Sequence, residues 1–421
     1  MIMREMKDSG IAWVGEIPKE WTIMPLYCFY SERKNKNIFG AENNLLSLSY
    51  GKVIRKDINT SEGLLPSNYN GYNIVEADDI VIRPTDLQND KRSLRTGLSK
   101  ERGIITSAYI ALKPKNGVNS RFYHYLLHTY DILKVFYNMG NGVRQGLNYD
   151  EFAKLMVYSP SGTEQQRIAE FLDGECGKID GLKADIQAQI DTLEQYKRSV
   201  ITEAVTHGLN PFAPMKDSGI PWVGEIPAKW AVLPIYCVYG ERKRKNVFGT
   251  EQNLLSLSYG KVIRKDINTN GGLLPSNYNG YNIIEKNDII IRPTDLQNDR
   301  TSLRTGLVKE HGIITSAYIA LKPKNRVSSK FYHYLLHSYD VKKVFYNMGN
   351  GVRQGLNYGE FAKLMVYYPP LDEQQEIADY LDNKCTEIEQ IITDKKSQIE
   401  MLDGYKKSLI YEYVTGKKEV V

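Results

Sequence analysis

Cysteine is scarce in this sequence and never closely paired. Its four cysteines among 421 residues, Cys28, Cys176, Cys237 and Cys385, form no C-x-x-C. That argues against a structural zinc site, thioredoxin-type chemistry and a disulfide framework, and reduced thiols in a cytosolic protein are the simplest expectation. No run of about 18 apolar residues occurs, so no membrane-spanning helix is expected. The opening MIMREMKDSGIAW has no apolar stretch of signal-peptide type, which again points to the cytoplasm. A methyltransferase-type N-P-P-Y is missing, and Tyr368-Pro369-Pro370 lacks the preceding Asn or Asp. So is the G-x-x-x-x-G-K-[ST] of a P-loop. The chain is therefore expected to be non-catalytic by itself. Neither charge sign dominates. A net charge of +5 is compatible with a nucleic-acid partner without requiring one.

What the chain has in abundance is itself. MGNGVRQGLNY runs from Met139 to Tyr149 and again from Met348 to Tyr358. The same offset of 209 residues carries Trp13 onto Trp222, Cys28 onto Cys237, Cys176 onto Cys385 and Lys197 onto Lys406, with no gap from Met6 to Thr206. This is a duplicated domain, much longer than a solenoid repeat. Each copy opens on a Trp-bearing segment, KDSGIAWVGEIPKEW or KDSGIPWVGEIPAKW. Short β-branched runs follow, NLLSLSY, DIVIRP and GIITSAYIALKP in the first copy, bounded by turn formers and read as strands. SRFYHYLLHTYDILKVFYNM has apolar residues at helical spacing and predicts a helix ending near Gly140. A short helix around YDEFAKL and the strand-like LMVYSP complete the globular part.

A long charged helix closes each copy. Thr163 with Gln166, and Asp372 with Gln375, fit capping boxes. Leu172, Ile179, Ile186, Leu193 and Val200 recur every seven residues, with Ile168, Leu182 and Tyr196 as a second stripe. That is the seam of a coiled coil. Copy two has Leu381, Ile388, Leu402 and Leu409, with Ile377, Ile391 and Tyr405 beside them, and departs at Lys395. Gly174, Gly177 and Gly181 predict a bend or fray in the first helix. Two like domains, each followed by such a helix, can pair their helices antiparallel as a dimer within one chain. About 40 residues would make a rod of roughly 60 Å, holding two readers apart. Duplex DNA, with its own local two-fold, suits that ruler at no more than about 18 base pairs of total site.

On the marks WVGEIPKEW, GIITSAYIALKP, LMVYSPSGTEQQRIAEFLD and its twin LMVYYPPLDEQQEIADYLD, the sequence resembles the specificity subunits of type I restriction–modification enzymes over nearly its whole length. The resemblance implies an α+β fold of two α/β target-recognition domains separated by two long antiparallel coiled-coil helices. It places the domains at 1–160 and 215–370, the spacer helices at 161–207 and 371–421, and a linker at 208–214. It implies double-stranded DNA and two methyltransferase subunits as partners, and often motor-nuclease subunits. S-adenosylmethionine is then held by the methyltransferase, with no cofactor on this chain. Family members usually carry dissimilar recognition domains. The near-identity here predicts an interrupted palindrome rather than an asymmetric site. A protein-interaction scaffold with a coiled-coil spacer is the alternative.

Three segments offer contacts. In RPTDLQNDKRSLRTG, Gln88 and Asn89 suit adenine, while Lys91, Arg92 and Arg95 suit guanine or phosphate, as do Gln297, Asn298, Arg300 and Arg304 in the twin. In MGNGVRQGLNY, Arg144, Gln145 and Asn148, with Arg353, Gln354 and Asn357, meet phosphate or base edges, or else form a rigid helix corner. In SYGKVIRKD, Tyr50, Lys52 and Arg55, with Tyr259, Lys261 and Arg264, track phosphates or form the outer face of a strand. His124 with His128, and His333 with His337, share helix faces but lack the Glu of H-E-x-x-H, so no metal is assigned. On the spacer helices, Lys183, Asp185, Glu194 and Lys197 are candidate partner contacts or simply a solvated face.

Overall fold

The computed structural model describes residues 4–59, 68–85, 87, 94–139, 146–267, 277–294, 296, 303–324, 326–348 and 355–420. It forms two compact units, one of residues 1–186 with 397–421, the other of residues 187–396. The helices are α1 (Ser120–Ile132), α2 (Tyr149–Phe152), α3 (Gly162–His207), α4 (Ser329–Val341), α5 (Tyr358–Phe361) and α6 (Leu371–Val414). The first unit thus holds one globular domain, the start of α3 and the end of α6. The second holds the other domain, the end of α3 and the start of α6.

In the first unit four strands lie in the order Tyr30–Glu32, Ile110–Pro114, Ile80–Ile82 and Thr96–Leu98, each pair antiparallel. Ile80, Ile82, Ile110 and Leu112 join the main core with Phe122 and Leu126 of α1. Val81 and Ala111 join a second cluster with Leu46, Val75 and Ile105. Both faces of this sheet are covered, which is why DIVIRP reads as unbroken apolar sequence rather than alternation. GIITSAYIALKP makes two strands, not one: Gly103–Ile105 pairs with Asn73–Val75 before the chain turns into Ile110–Pro114. The second unit repeats this arrangement strand for strand.

The Trp-bearing segment fastens each domain to its helix. Trp21 is fully buried, stacks on Tyr158 at 5.7 Å and donates from Nε1 to Glu164 of α3 at 3.0 Å. Trp230 donates likewise to Glu373 of α6 at 3.0 Å. Truncating such a ring to alanine costs about 3–5 kcal/mol.

α1 stops earlier than its apolar spacing predicts. Lys134 adopts φ 58°, and a 3₁₀ turn follows at Val135–Asn138. The break swings Tyr137 back so that its hydroxyl meets the buried Asp131 carboxylate at 3.0 Å. The cap of α3 also differs from expectation. Ser161, not Thr163, accepts the amide of Glu164 on its hydroxyl, at 3.3 Å. Gln374 bonds the Pro370 carbonyl at the start of α6. Gly174, Gly177 and Gly181 do not interrupt α3, which runs unbroken from Gly162 to His207.

Within each unit the α3 and α6 segments run antiparallel in one register. In the first, Asp180 meets Lys406 at 2.7 Å and Lys183 meets Asp403. In the second, Lys197 meets Glu389 at 2.5 Å and Gln189 accepts from Lys395 at 2.5 Å. Lys183 and Lys197 therefore bond the sister helix instead of standing free for a partner. The first heptad row faces inward, with Leu172, Ile179 and Val200 buried and Ile186 and Leu193 half-buried, but the second stripe does not, and an 11-residue row shares the core. Ile168, Ile179, Ile190 and Ile201 are each under 5% exposed and lie eleven residues apart, whereas Leu182 and Tyr196 are 53% and 49% exposed. An 11-residue spacing is 3.67 residues per turn, close to a straight α-helix. A 7-residue stripe drifts by about 20° per heptad, and its middle members Ile186 and Leu193 are only half-buried.

Candidate nucleic-acid interface

The best-defined candidate is a β-hairpin, Leu46–Ser49 with Lys52–Arg55, and its twin Leu255–Ser258 with Lys261–Arg264. Leu46 and Leu48 point inward, while Lys52, Ile54 and Arg55 stand in solvent. The turn residues Tyr50 and Gly51 have φ 46° and 78°, which defines a tight type I′ connection. Tyr50 is 84% exposed and Tyr259 83%.

The hairpin sits where its domain meets the spacer. A Cβ added to Gly51 would lie 3.1 Å from the Leu94 side chain and 3.4 Å from the His128 ring of α1. Lys52 Nζ lies 3.8 Å from Asp180 of α3, the carboxylate that also receives Lys406. Lys261 stands at the same 3.8 Å from Glu389. Burial alone would raise the Asp180 carboxyl, but Lys406, helped by Lys52 and Lys183, holds it below its ordinary range. Arg55 is already matched: its Nε donates to both Glu101 oxygens at 2.8 Å. Arg264 does the same with Glu310. Lys52 and Lys261 are therefore the hairpins' more available cations, since a 3.8 Å surface contact is weak and easily exchanged.

Two expected contacts have structural roles instead. Arg95 and Arg304 are fully buried. Arg95 donates from Nε to the Tyr137 hydroxyl at 3.1 Å and from Nη1 to the Thr85 carbonyl. Its backbone amide bonds Asp131. Arg304 repeats this with Tyr346, Thr294 and Asp340. A guanidinium so enclosed does not reach a base. Asn148 and Asn357 remain exposed, but each caps a short helix, Oδ1 accepting from Glu151 at 2.9 Å or Glu360 at 3.0 Å. That use of the oxygen supports the rigid helix corner, the alternative reading of this stretch. Gln88, Asn89, Lys91, Arg92, Arg144 and Gln145, and their twins Gln297, Asn298, Arg300, Arg353 and Gln354, lie outside the described residues.

The histidine pairs are half-buried, and desolvation lowers His124 to about 4 and His128 to about 3. Among the described residues no three metal-ligating side chains converge. Glu32, Arg33 and Lys34 make local ion pairs, Lys34 with Glu32 at 2.7 Å and Arg33 with the buried Asp79. One feature lay beyond the sequence reading. Phe39 is 93% exposed and Phe248 89%. Each sits on a loop held by a buried Asn that bonds both ways to the loop's far end, Asn37 to Glu42 and Asn246 to Glu251. The signal was an aromatic beside glycine just after the basic runs ERKNKN and ERKRKN.

No helix among the described residues is long and apolar enough to cross a membrane. The family model for the type I restriction modification DNA specificity domain matches residues 33–192 and again 241–401, more than half of the chain. The MjaX type I restriction enzyme specificity subunit of Methanocaldococcus jannaschii is 22% identical over 97% of this chain and 96% of its own. A solved chain from a study of the assembly and conformational transition of the type I R-M system superposes with a TM-score of 0.69. It is 12% identical and covers 96% of this chain and 99% of its own, so it speaks for the fold. The HsdS subunit of Thermoanaerobacter tengcongensis, also 12% identical over 96% of this chain and 98% of its own, gives 0.48.

Proposed function

The chain belongs to the type I restriction–modification DNA specificity family, and we propose that it reads a two-part DNA site with two equivalent recognition units and positions modification and nuclease subunits on it. It is a non-catalytic DNA-recognition subunit of a restriction–modification complex. The observation that carries the bipartite reading is the equivalence of the two units. Each holds the same hairpin at the same 3.8 Å from a spacer carboxylate, Lys52 to Asp180 and Lys261 to Glu389. Equivalent readers related by a two-fold meet one short word on opposite strands of a duplex. The target is then an interrupted palindrome.

Two methyltransferase subunits fit the same equivalence. In the register of the ion pairs Leu182 comes nearly opposite Tyr405, and Tyr196 nearly opposite Ile391. All four are between 45% and 56% exposed. Each unit thus offers one apolar patch on its helix pair, a surface for a partner helix. S-adenosylmethionine belongs to that partner, and the complex works in the cytoplasm, where unpaired thiols such as those of this chain persist. Mapping modified adenines across the host genome tests the proposal. The expected result is one interrupted palindrome modified on both strands, and two unrelated half-sites would overturn it. Duplex binding by the assembled complex should weaken steeply with salt. Binding that ignored salt, or no binding, would favour a protein scaffold instead.

A further inference from the structure

We propose that Tyr50 and Tyr259 are wedges that press an aromatic ring onto a base step of the duplex, one in each half-site. The inference rests on the DNA-recognition reading and assigns these side chains a part in sequence discrimination rather than phosphate contact.

The argument begins with the backbone. A type I′ turn needs positive φ at both central residues, which is why Asn, Asp and Gly dominate its first position. Tyrosine has a Cβ that crowds the following carbonyl there and no short polar group to bond locally. The structure nevertheless places Tyr50 at φ 46° and Tyr259 at φ 46°. The turn has little freedom to relax. Ser49 pairs with Lys52 and Leu48 with Val53 in the ladder, and Gly51 is packed against Leu94 and the His128 ring. In the second unit Gly260 is packed against Leu303.

Strain of this kind is ordinarily offset by packing of the side chain that causes it. Here the ring returns nothing to the fold. Tyr50 and Tyr259 are 84% and 83% exposed. Rigid backbone, unfavourable conformation and a solvent-facing aromatic together mark a side chain held ready for something outside the chain.

The surroundings favour nucleic acid over protein. Lys52 follows the turn with its side chain 73% exposed, and Lys56 is exposed beyond it. A flat π-face among cations suits a stacked base beside its phosphates. Lys52 anchors the backbone, and the ring tests how readily the base step beside it opens, which depends on sequence.

The test uses the full chain assembled with its methyltransferase and a pool of duplex oligonucleotides carrying random sequence. Binding constants are then measured on the duplex that the wild-type complex selects. The double variant Tyr50→Asn/Tyr259→Asn should melt higher than wild type, because Asn is at home in the turn. It should bind the selected duplex about thirtyfold or more weakly, the scale of two aromatic–base stacks, one per half-site. Its salt dependence should be unchanged, since no charge is removed. Tyr50→Phe/Tyr259→Phe should bind as wild type does. Lys52→Ala/Lys261→Ala should instead flatten the slope of log affinity against log salt by about two. If the Asn variant binds as tightly and selects the same sequence while the Lys variant is weakened, the wedge is wrong and the recognition reading stands. If the Asn variant melts lower, or loses methyltransferase rather than DNA, the tip is a structural or protein contact and the wedge is overturned. If the wild-type complex selects no duplex, the recognition reading itself fails and takes the wedge with it.

Discussion

Arg95 decides between two accounts of the loop that leads into strand Thr96–Leu98. As a base contact it would be dispensable for folding. In the structure its guanidinium is enclosed, bonded to Tyr137 and Thr85 and set over the Tyr137 ring at 5.3 Å. Replacing it by alanine removes two charged-donor hydrogen bonds, each worth about 1.5–3 kcal/mol, and opens space beside the buried Asp131. Asp131 is already held above the ordinary carboxyl range by burial, which the surrounding donors oppose. Water entering the gap returns part of the loss, so the net destabilisation is about 3 kcal/mol. For a unit near 200 residues that lowers the melting temperature by about 6–12 °C. Arg304→Ala should lower the second unit equally, because Tyr346, Thr294 and Asp340 repeat the partners. Circular dichroism melts of each single variant should therefore separate into an early and a late transition, one unit apiece. Lys at either position keeps the charge without the planar fork and should rescue little. The reasoning is refuted if both variants melt with wild type while duplex affinity falls and its salt slope drops by about one, the signature of a lost phosphate contact.

A second expectation concerns a position where the first copy has an arginine and the second a histidine, Arg102 and His311. Arg102 bonds Glu42 at 3.0 Å and Glu76 at 2.5 Å, whereas His311 bonds Glu251 and Glu285, both at 2.8 Å. The hydrogen bond to Glu285 raises His311 above 6.5, against a smaller opposing effect of burial. A raised folded-state value means the stabilisation is fully present below about pH 6.5 and is lost as pH rises through the folded value. Wild type should thus lose stability relative to His311→Arg between pH 6 and pH 8 in paired unfolding titrations, and a constant gap would refute the assignment. A third expectation concerns stoichiometry. Leu182→Glu with Tyr405→Glu should leave folding nearly unchanged, as exposed substitutions do, within about 0.5 kcal/mol. Native mass spectrometry of the co-expressed complex should then lose one methyltransferase of two, and full occupancy would reject the patch.

What was legible in the sequence follows from the range of the interactions. The duplication, the short strands and the two long helices are written in periodicity and punctuation, which are local. The burial of Arg95 is not, because its amide partner Asp131 is 36 residues away and the flanking RSLRTG looks like an exposed turn. The end of α1 at Lys134 carries no Gly or Pro. α1 ends at Ile132, and past the turn at Lys134 Tyr137 bonds back to Asp131, which is itself fixed by the distant Arg95 amide. The helix seam was half legible. The heptad row holds at Leu172, Ile179 and Val200, while the second stripe, Leu182 and Tyr196, is exposed and gives way to Ile190 and Ile201.

The register of the helices was more legible than it looked. A chain that pairs two copies of one helix antiparallel must present a charge pattern complementary to itself, as an isologous interface does. Asp180 and Lys197 of α3 occupy the repeat positions of Glu389 and Lys406 in α6. Antiparallel pairing therefore sets acid on base twice, Asp180 with Lys406 and Lys197 with Glu389, from one inherited motif. Divergence shows where that constraint has lapsed. Lys395 replaces the apolar residue that the first copy has as Ile186, and it bonds Gln189 rather than joining the seam. A change at one copy of the acid–base motif breaks the contact in one unit and leaves its image intact. Lys406→Glu alone should loosen the first unit, and Asp180→Lys should restore it when added. The second unit, which contains neither residue, should not register either change.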